Sequence, residues 1–171
     1  MESNSRPFRY SFVTSVLPIR VEDRVRGELG AEVADHGPLH VVTATAHAVR
    51  GYAAGVDLVA SLSGVGVDVE RTQPDLVNRR LIAERAGCTR QAVALWVNGQ
   101  RHQDDPFPSP FNLTLGQLWL WGEVQSWLLR RGIELDDIAA IPTMRDHMRV
   151  DSHIAHNRLE YRDAAARART L

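Results

Sequence analysis

Residues 76–101, LVNRRLIAERAGCTRQAVALWVNGQR, contain two short helices and a three-residue turn. Asn78 is placed to cap a first helix in which Leu81, Ile82 and Ala86 recur at helical spacing, with Leu76 and Val77 anchoring its start. Gly87 ends that helix. After the turn Gly87-Cys88-Thr89, Thr89 caps a second helix, whose apolar stripe of Ala92, Val93, Trp96 and Val97 stops at Asn98-Gly99. Helices joined this closely must cross steeply. Ala83 is small where they pass, Gly87 follows four residues later where the turn needs a left-handed backbone, and Val93, six further on, faces the space between them. Thr89, Arg90, Gln91 and, beside them, Leu95 are left on or near the outer face of the second helix.

Small residue, glycine and branched apolar residue at these intervals are the spacing of a helix-turn-helix, in which the second helix lies in the DNA major groove. Arg90 suits guanine and Gln91 suits adenine, and Thr89 is expected to read bases beside them. Arg79, Arg80, Asn98 and Arg101 are expected to hold phosphates, which position the protein without specifying sequence. A plain helical hairpin with solvated charges is the alternative. Two caps, the turn glycine and an outward Arg-Gln pair together weigh against it.

Beyond a polar, proline-rich loop, Phe111–Leu115 and Leu118–Trp121 are two short apolar runs around Gly116-Gln117, predicting a β-hairpin. A helix from Glu123 to Arg131 follows, with Val124, Trp127 and Leu128 on one face and Gly132 as its stop. The stretch from Leu81 to Val97, the FPSP at Phe107–Pro110 and LWLWGEVQSWLLRRG from Leu118 to Gly132 resemble the winged helix-turn-helix domains of excisionase, AlpA-like and MerR-like regulators. The resemblance covers about a third of the chain. It departs from that group in the wing, where Leu118, Trp119, Leu120 and Trp121 stand in place of Arg or Lys. The four tryptophans, 96, 119, 121 and 127, could stack on single-stranded bases, but their spacing favours a buried cluster.

The 171-residue chain has a net charge of −1. Residues 76–131 hold seven arginines against four acids, while residues 1–75 are net −3 and residues 132–171 net −1. One basic module in a neutral chain fits a sequence reader rather than a non-specific coating protein. Every basic residue is Arg, the mark of a GC-rich genome more than of a binding requirement. Toward the start, strands at Phe8–Ile19, Leu39–Val49 and Gly66–Glu70 alternate with helices at Val21–Asp35 and Tyr52–Leu62. The expected fold class is α+β: a small N-terminal βαβαβ sandwich at 1–73 for interaction or dimerisation, a winged helix-turn-helix at 74–132, and a helical C-terminal arm at 133–171. In having such an α+β segment ahead of this module, the chain is similar to small actinobacterial regulators.

No catalytic residues emerge, and the chain is expected not to be an enzyme. His36, His40 and His47 lack an acid or Cys at ligand spacing, a site made of His147, His153 and His156 lacks the fixed Glu or Cys of zinc motifs, and GVG at 64–66 precedes a strand rather than opening a helix. No metal and no cofactor are expected. Cys88 is the only cysteine, which excludes an internal disulfide and suits packing in the turn. The polar start MESNSRPFRY is no signal peptide, so a cytoplasmic, nucleoid-associated protein is expected. Leu135, Ile138 and Ile141 suggest a short helix or turn before Pro142, and Thr143 caps a long helix whose thin apolar strip would pack on a partner or fray at RDAAARARTL. The resulting expectation is a bacterial transcriptional regulator, repressor, antitoxin-like or excisionase-like, binding double-stranded DNA as a homodimer joined through residues 143–171, with a protein partner for the N-terminal domain. The competing expectation is a protein-interaction adaptor that uses the winged helix without DNA.

Overall fold

Strand β1 (Arg6–Ser15) alternates in burial as far as Phe12, so that Phe8, Tyr10 and Phe12 point to one face and Arg9 and Ser11 to the other, while Val13 and Thr14 are both buried. In the computed structural model, which describes residues 5–114 and 116–168 and side chains as far as 161, this strand is central to a four-stranded antiparallel sheet. Pro18 leads into α1 (Ile19–Leu29), which Gly30 ends at φ +59°. β2 (Glu32–Asp35) and β3 (Leu39–Ala48) then form a hairpin, paired from Glu32↔Thr43 to Asp35↔His40. α2 (Gly51–Gly64) crosses back, and β4 (Val69–Thr72) pairs with β1. The order is β2-β3-β1-β4. Val25 of α1 and Ala54, Leu58 and Leu62 of α2 share one core with Phe8, Tyr10 and Phe12.

This connectivity is βαββαβ, a split βαβ in which β3 sits between β1 and β2. It corrects the expected βαβαβ sandwich. The missed strand is β2, assigned from sequence to the end of a helix running to Asp35. Only Val33 of its four side chains is even half-buried, so there is no apolar alternation to read. Its ladder comes from β3.

The second sheet is small. β5 (Leu76–Val77) precedes α3 (Arg79–Arg85) and α4 (Arg90–Val97), and pairs antiparallel with β6 (Trp119–Leu120), which runs directly into α5 (Trp121–Arg130). The expected hairpin is therefore reduced. Asn112 and Leu118 make a single antiparallel bridge, while Trp119 and Leu120 pair with Val77 and Leu76 instead of Phe111–Leu115. Leu115 and the last three residues of the RDAAARARTL end lie outside the described residues.

Residues 133–143 tie the two parts together without forming the short helix considered for them. The side chain of the buried Gln125 on α5 donates to the Ala139 carbonyl at 2.9 Å and accepts from the Ile141 N–H at 2.8 Å. Ala140 in turn bridges β1, donating to the Pro7 carbonyl and accepting from the Arg9 N–H.

Helix α6 (Met144–Ala168), expected to be an arm for a partner, packs its first turns on the sheet core of its own chain. Thr143 and Asp146 cap its start reciprocally. Val150 and Ile154 belong to the sheet core, and Asp151 Oδ1 accepts the Thr72 N–H at 2.6 Å, covering the outer edge of β4. Sparse apolar residues suffice because α2 presents glycine to it. A Cβ on Gly55 would stand 2.5 Å from Val150 Cγ2 and 2.9 Å from Tyr10 Cζ. Helix propensity alone favours Gly55→Ala by about 1 kcal/mol, but overpacking costs ~1–3 kcal/mol when neither a β-branched side chain nor a buried ring can yield. We expect a lowered urea midpoint; a raised one would show that α6 does not sit this close.

His147, on the buried side of α6, lies edge-on to Tyr10 with ring centroids 5.7 Å apart, and neither ring nitrogen has a partner among the described residues. Desolvation holds its pKa below the ordinary histidine value, only partly offset by Asp151 and Asp146. The unfolded chain therefore takes up this proton first, so its contribution is intact above about pH 6.5 and is lost as pH falls below it. His147→Phe keeps the edge contact and removes the proton. The fall in melting temperature between about pH 7.5 and pH 5.5 should be smaller in the variant than in the wild type; equal falls would contradict a neutral, buried imidazole.

Candidate nucleic-acid interface

The two short helices are built as their capping residues dictate. Asn78 Oδ1 accepts the Leu81 N–H at 2.9 Å, and Thr89 Oγ1 accepts the Ala92 N–H at 3.1 Å. Gly87 adopts φ +61° between them, and the Cys88 N–H returns to the Ala83 carbonyl at 2.9 Å. α4 ends the same way, with Gly99 at φ +67° and the Gln100 N–H on the Leu95 carbonyl. Ile82, Ala83 and Val93 are buried where α3 and α4 pack. Cys88 is half-buried, and desolvation pushes its thiol pKa up, in keeping with a packing role.

The inner side of α4 rests on aromatic rings. Trp96 lies 5.4 Å from Trp127 and 6.2 Å from Phe107, and all four tryptophans are buried in one cluster. Two indole N–H groups pin the proline-rich loop: Trp119 donates to the Pro108 carbonyl at 3.0 Å and Trp127 to that of Asp105 at 2.9 Å. The rings are thus committed to the core rather than offered to bases.

With one side so held, Thr89, Arg90 and Gln91 emerge together, all exposed, at the first turn of α4, and Leu95 is half-buried. Asn98 is exposed at the other end of α4, about 12 Å along the axis at 1.5 Å per residue, and Arg101 is exposed in the loop that follows Gly99. Arg80 is exposed on α3, in a loose 3.6 Å pair with Glu84. Arg79 is placed differently from its fellows. Half-buried, it donates to Gln117 Oε1 at 2.7 Å and lies over Trp119, so it braces the loop ahead of β6.

Ion pairs redistribute the local positive charge. Arg85 is bound to Asp75, Arg130 to Asp105, and Arg131 to Asp104 and Asp105. Arg90 and Arg101 have no such partner among the described residues. The sequence carried a signal for the pairs around α5, an Asp-Asp ahead of the prolines and an Arg-Arg at the end of the helix, but spacing alone did not join them. The roles of the Gln117 and Gln125 side chains have no signal in the sequence. Neither stands in a recognisable pattern, since each acts on backbone or side chains brought up by the fold.

Among the described residues no group of three or more His, Cys, Asp or Glu side chains is placed to hold a metal, and no helix is long and apolar enough to cross a membrane. Comparisons with protein-family models, curated proteins and solved structures returned no match.

Proposed function

We propose that this protein binds double-stranded DNA sequence-specifically, as a bacterial transcriptional regulator of the cytoplasm, through a winged helix-turn-helix at about residues 74–132. The observation that carries the reading is the exposure of Thr89, Arg90 and Gln91 on the first turn of a helix whose other side, Val93 and Trp96, is locked into a tryptophan core. With α4 in a major groove about 12 Å wide, that turn meets base edges while Asn98 and Arg101 reach backbone phosphate. Two copies of the chain would place two such helices on half-sites about 34 Å apart.

Binding to random duplex must weaken steeply with salt, because phosphate contacts release counterions. Arg90→Ala and Gln91→Ala should each cost about 1–3 kcal/mol on the selected operator with little change on random duplex. Arg101→Ala should weaken both alike and reduce the salt slope by about one. If Arg90→Ala weakens both DNAs equally, the base-reading role is wrong.

A second reading, protein-interaction adaptor, draws support from Phe111 and Leu113, which are 47% and 75% exposed beside a wing without arginine. Salt-independent or absent binding to duplex would select it.

A further inference from the structure

The open face of the four-stranded sheet and the strand-helix module confront each other across a cleft of about 810 Å³. On the sheet side, the Ser11 and Thr43 hydroxyls are paired across β1 and β3 at 2.8 Å, next to Val13 and Val41. Arg71 stands on the neighbouring strand, opposite Val13. The facing wall brings Leu76 and Arg85, whose guanidinium lies over the buried Trp121 ring at 5.1 Å. A mixed lining of this size is typical of a small-molecule site.

The charges on these walls differ in kind. Arg9 is closed by Asp137 and Arg85 by Asp75, and two further acids line the cleft, Glu84, paired with Arg80 on α3, and Asp136. Arg71 donates from Nη1 to the neutral Thr72 carbonyl and to Gln73 Oε1 at 2.9 Å, and has no carboxylate partner among the described residues. Those two bonds orient its guanidinium at the cleft, a fork that matches one group above others. We propose that the cleft binds a small organic carboxylate with an apolar body, its carboxylate on Arg71 beside the Ser11 and Thr43 hydroxyls and its body against the half-buried Val41 and Leu76. Because the second wall is built from β5, the Arg85 end of α3 and the start of α5, an occupant touches both the sheet and the module that carries α4. Its binding therefore sets how the two are seated on one another, and through that the affinity for duplex. The carboxylate site stands without the DNA reading; only this regulatory consequence rests on it.

Calorimetry and thermal-shift titration of the full chain with benzoate, phenylacetate and a branched-chain 2-oxo acid test the site, with phenethylamine, a cation of similar apolar body and no carboxylate, as the control. At least one carboxylate should bind and raise the melting temperature, phenethylamine should not, and Arg71→Gln should weaken binding about tenfold or more by loss of a charge-assisted pair. Arg90→Ala should bind the carboxylate as the wild type does. No binding by any of the three acids, or equal binding by Arg71→Gln or by the amine, overturns the proposal. Duplex affinity measured with and without the bound acid then separates the two claims. An unchanged affinity refutes the coupling alone, and absence of duplex binding alongside Arg71-dependent acid binding removes the DNA reading and leaves the site.

Discussion

Trp127→Ala is expected to destabilise the strand-helix module by about 3–5 kcal/mol, the usual range for emptying a fully buried aromatic position. Trp127 is 0% exposed, and its ring touches Trp96 of α4 at 5.4 Å, Phe107 of the proline-rich loop at 5.0 Å and His102 at 5.4 Å. Truncation would remove the support of α4 from behind and leave the Asp105 carbonyl without the indole N–H that holds the loop. Denaturant unfolding of the variant measures the cost, and a loss below about 1 kcal/mol would show that the ring is not central to this core. The functional signature should differ from that of Arg90→Ala. Under the proposed DNA-binding function, a helix that loses its platform loses affinity for every duplex, whereas a missing base contact costs only the operator. Trp127→Phe, which refills most of the space, should recover much of the stability but not the hydrogen bond to Asp105.

The module was legible because its signals are local. A cap, a stripe, a turn glycine and a second cap each act within four residues, so Asn78, Thr89, Gly87 and Gly99 stand where spacing alone puts them. The expected hairpin at 111–121 was less so, because its apolar runs could pair with each other or elsewhere. Trp119 and Leu120 pair with Val77 and Leu76, more than forty residues back, and no local rule selects that register. β2 failed for the opposite reason. It has so little buried surface that its identity as a strand resides in β3, where the hydrogen bonds go. The site followed the same division: exposure of Thr89, Arg90 and Gln91 came from helical phase, while the diversion of Arg79 to Gln117 and of Arg85 to Asp75 depends on segments that only folding brings near. The cleft beneath Arg71 is wholly of this second kind.

Helix α6 gives the largest departure from its sequence pattern and the second large effect. Its few apolar residues look too thin for a core, which is why residues 143–171 read as a joint between two copies. They need not cover a core alone, since Gly51 and Gly55 let α2 approach until Asp146 and Val150 fill the space their side chains would take. Burying Val150 and Ile154 contributes roughly 1.5–3 kcal/mol each, and the Asp151 bond to the Thr72 N–H adds to that as an ionised acceptor on a strand edge. Against a domain stability of about 5–15 kcal/mol, losing all of these is expected to unfold the sheet. A chain ending at Pro142 should therefore lose the cooperative unfolding transition of the βαββαβ part, not merely its mass as a dimer. Val150→Asp should reproduce most of the effect within the full-length chain, because it buries an unpaired charge beside Tyr10. Truncation after Arg158 should leave the sheet folded, since Leu159 and Tyr161 are exposed. Circular dichroism and light scattering on the three chains decide the matter. If the chain ending at Pro142 keeps its sheet transition and only its mass halves, α6 is a dimer joint after all, and its seat on α2 and β4 carries no stability.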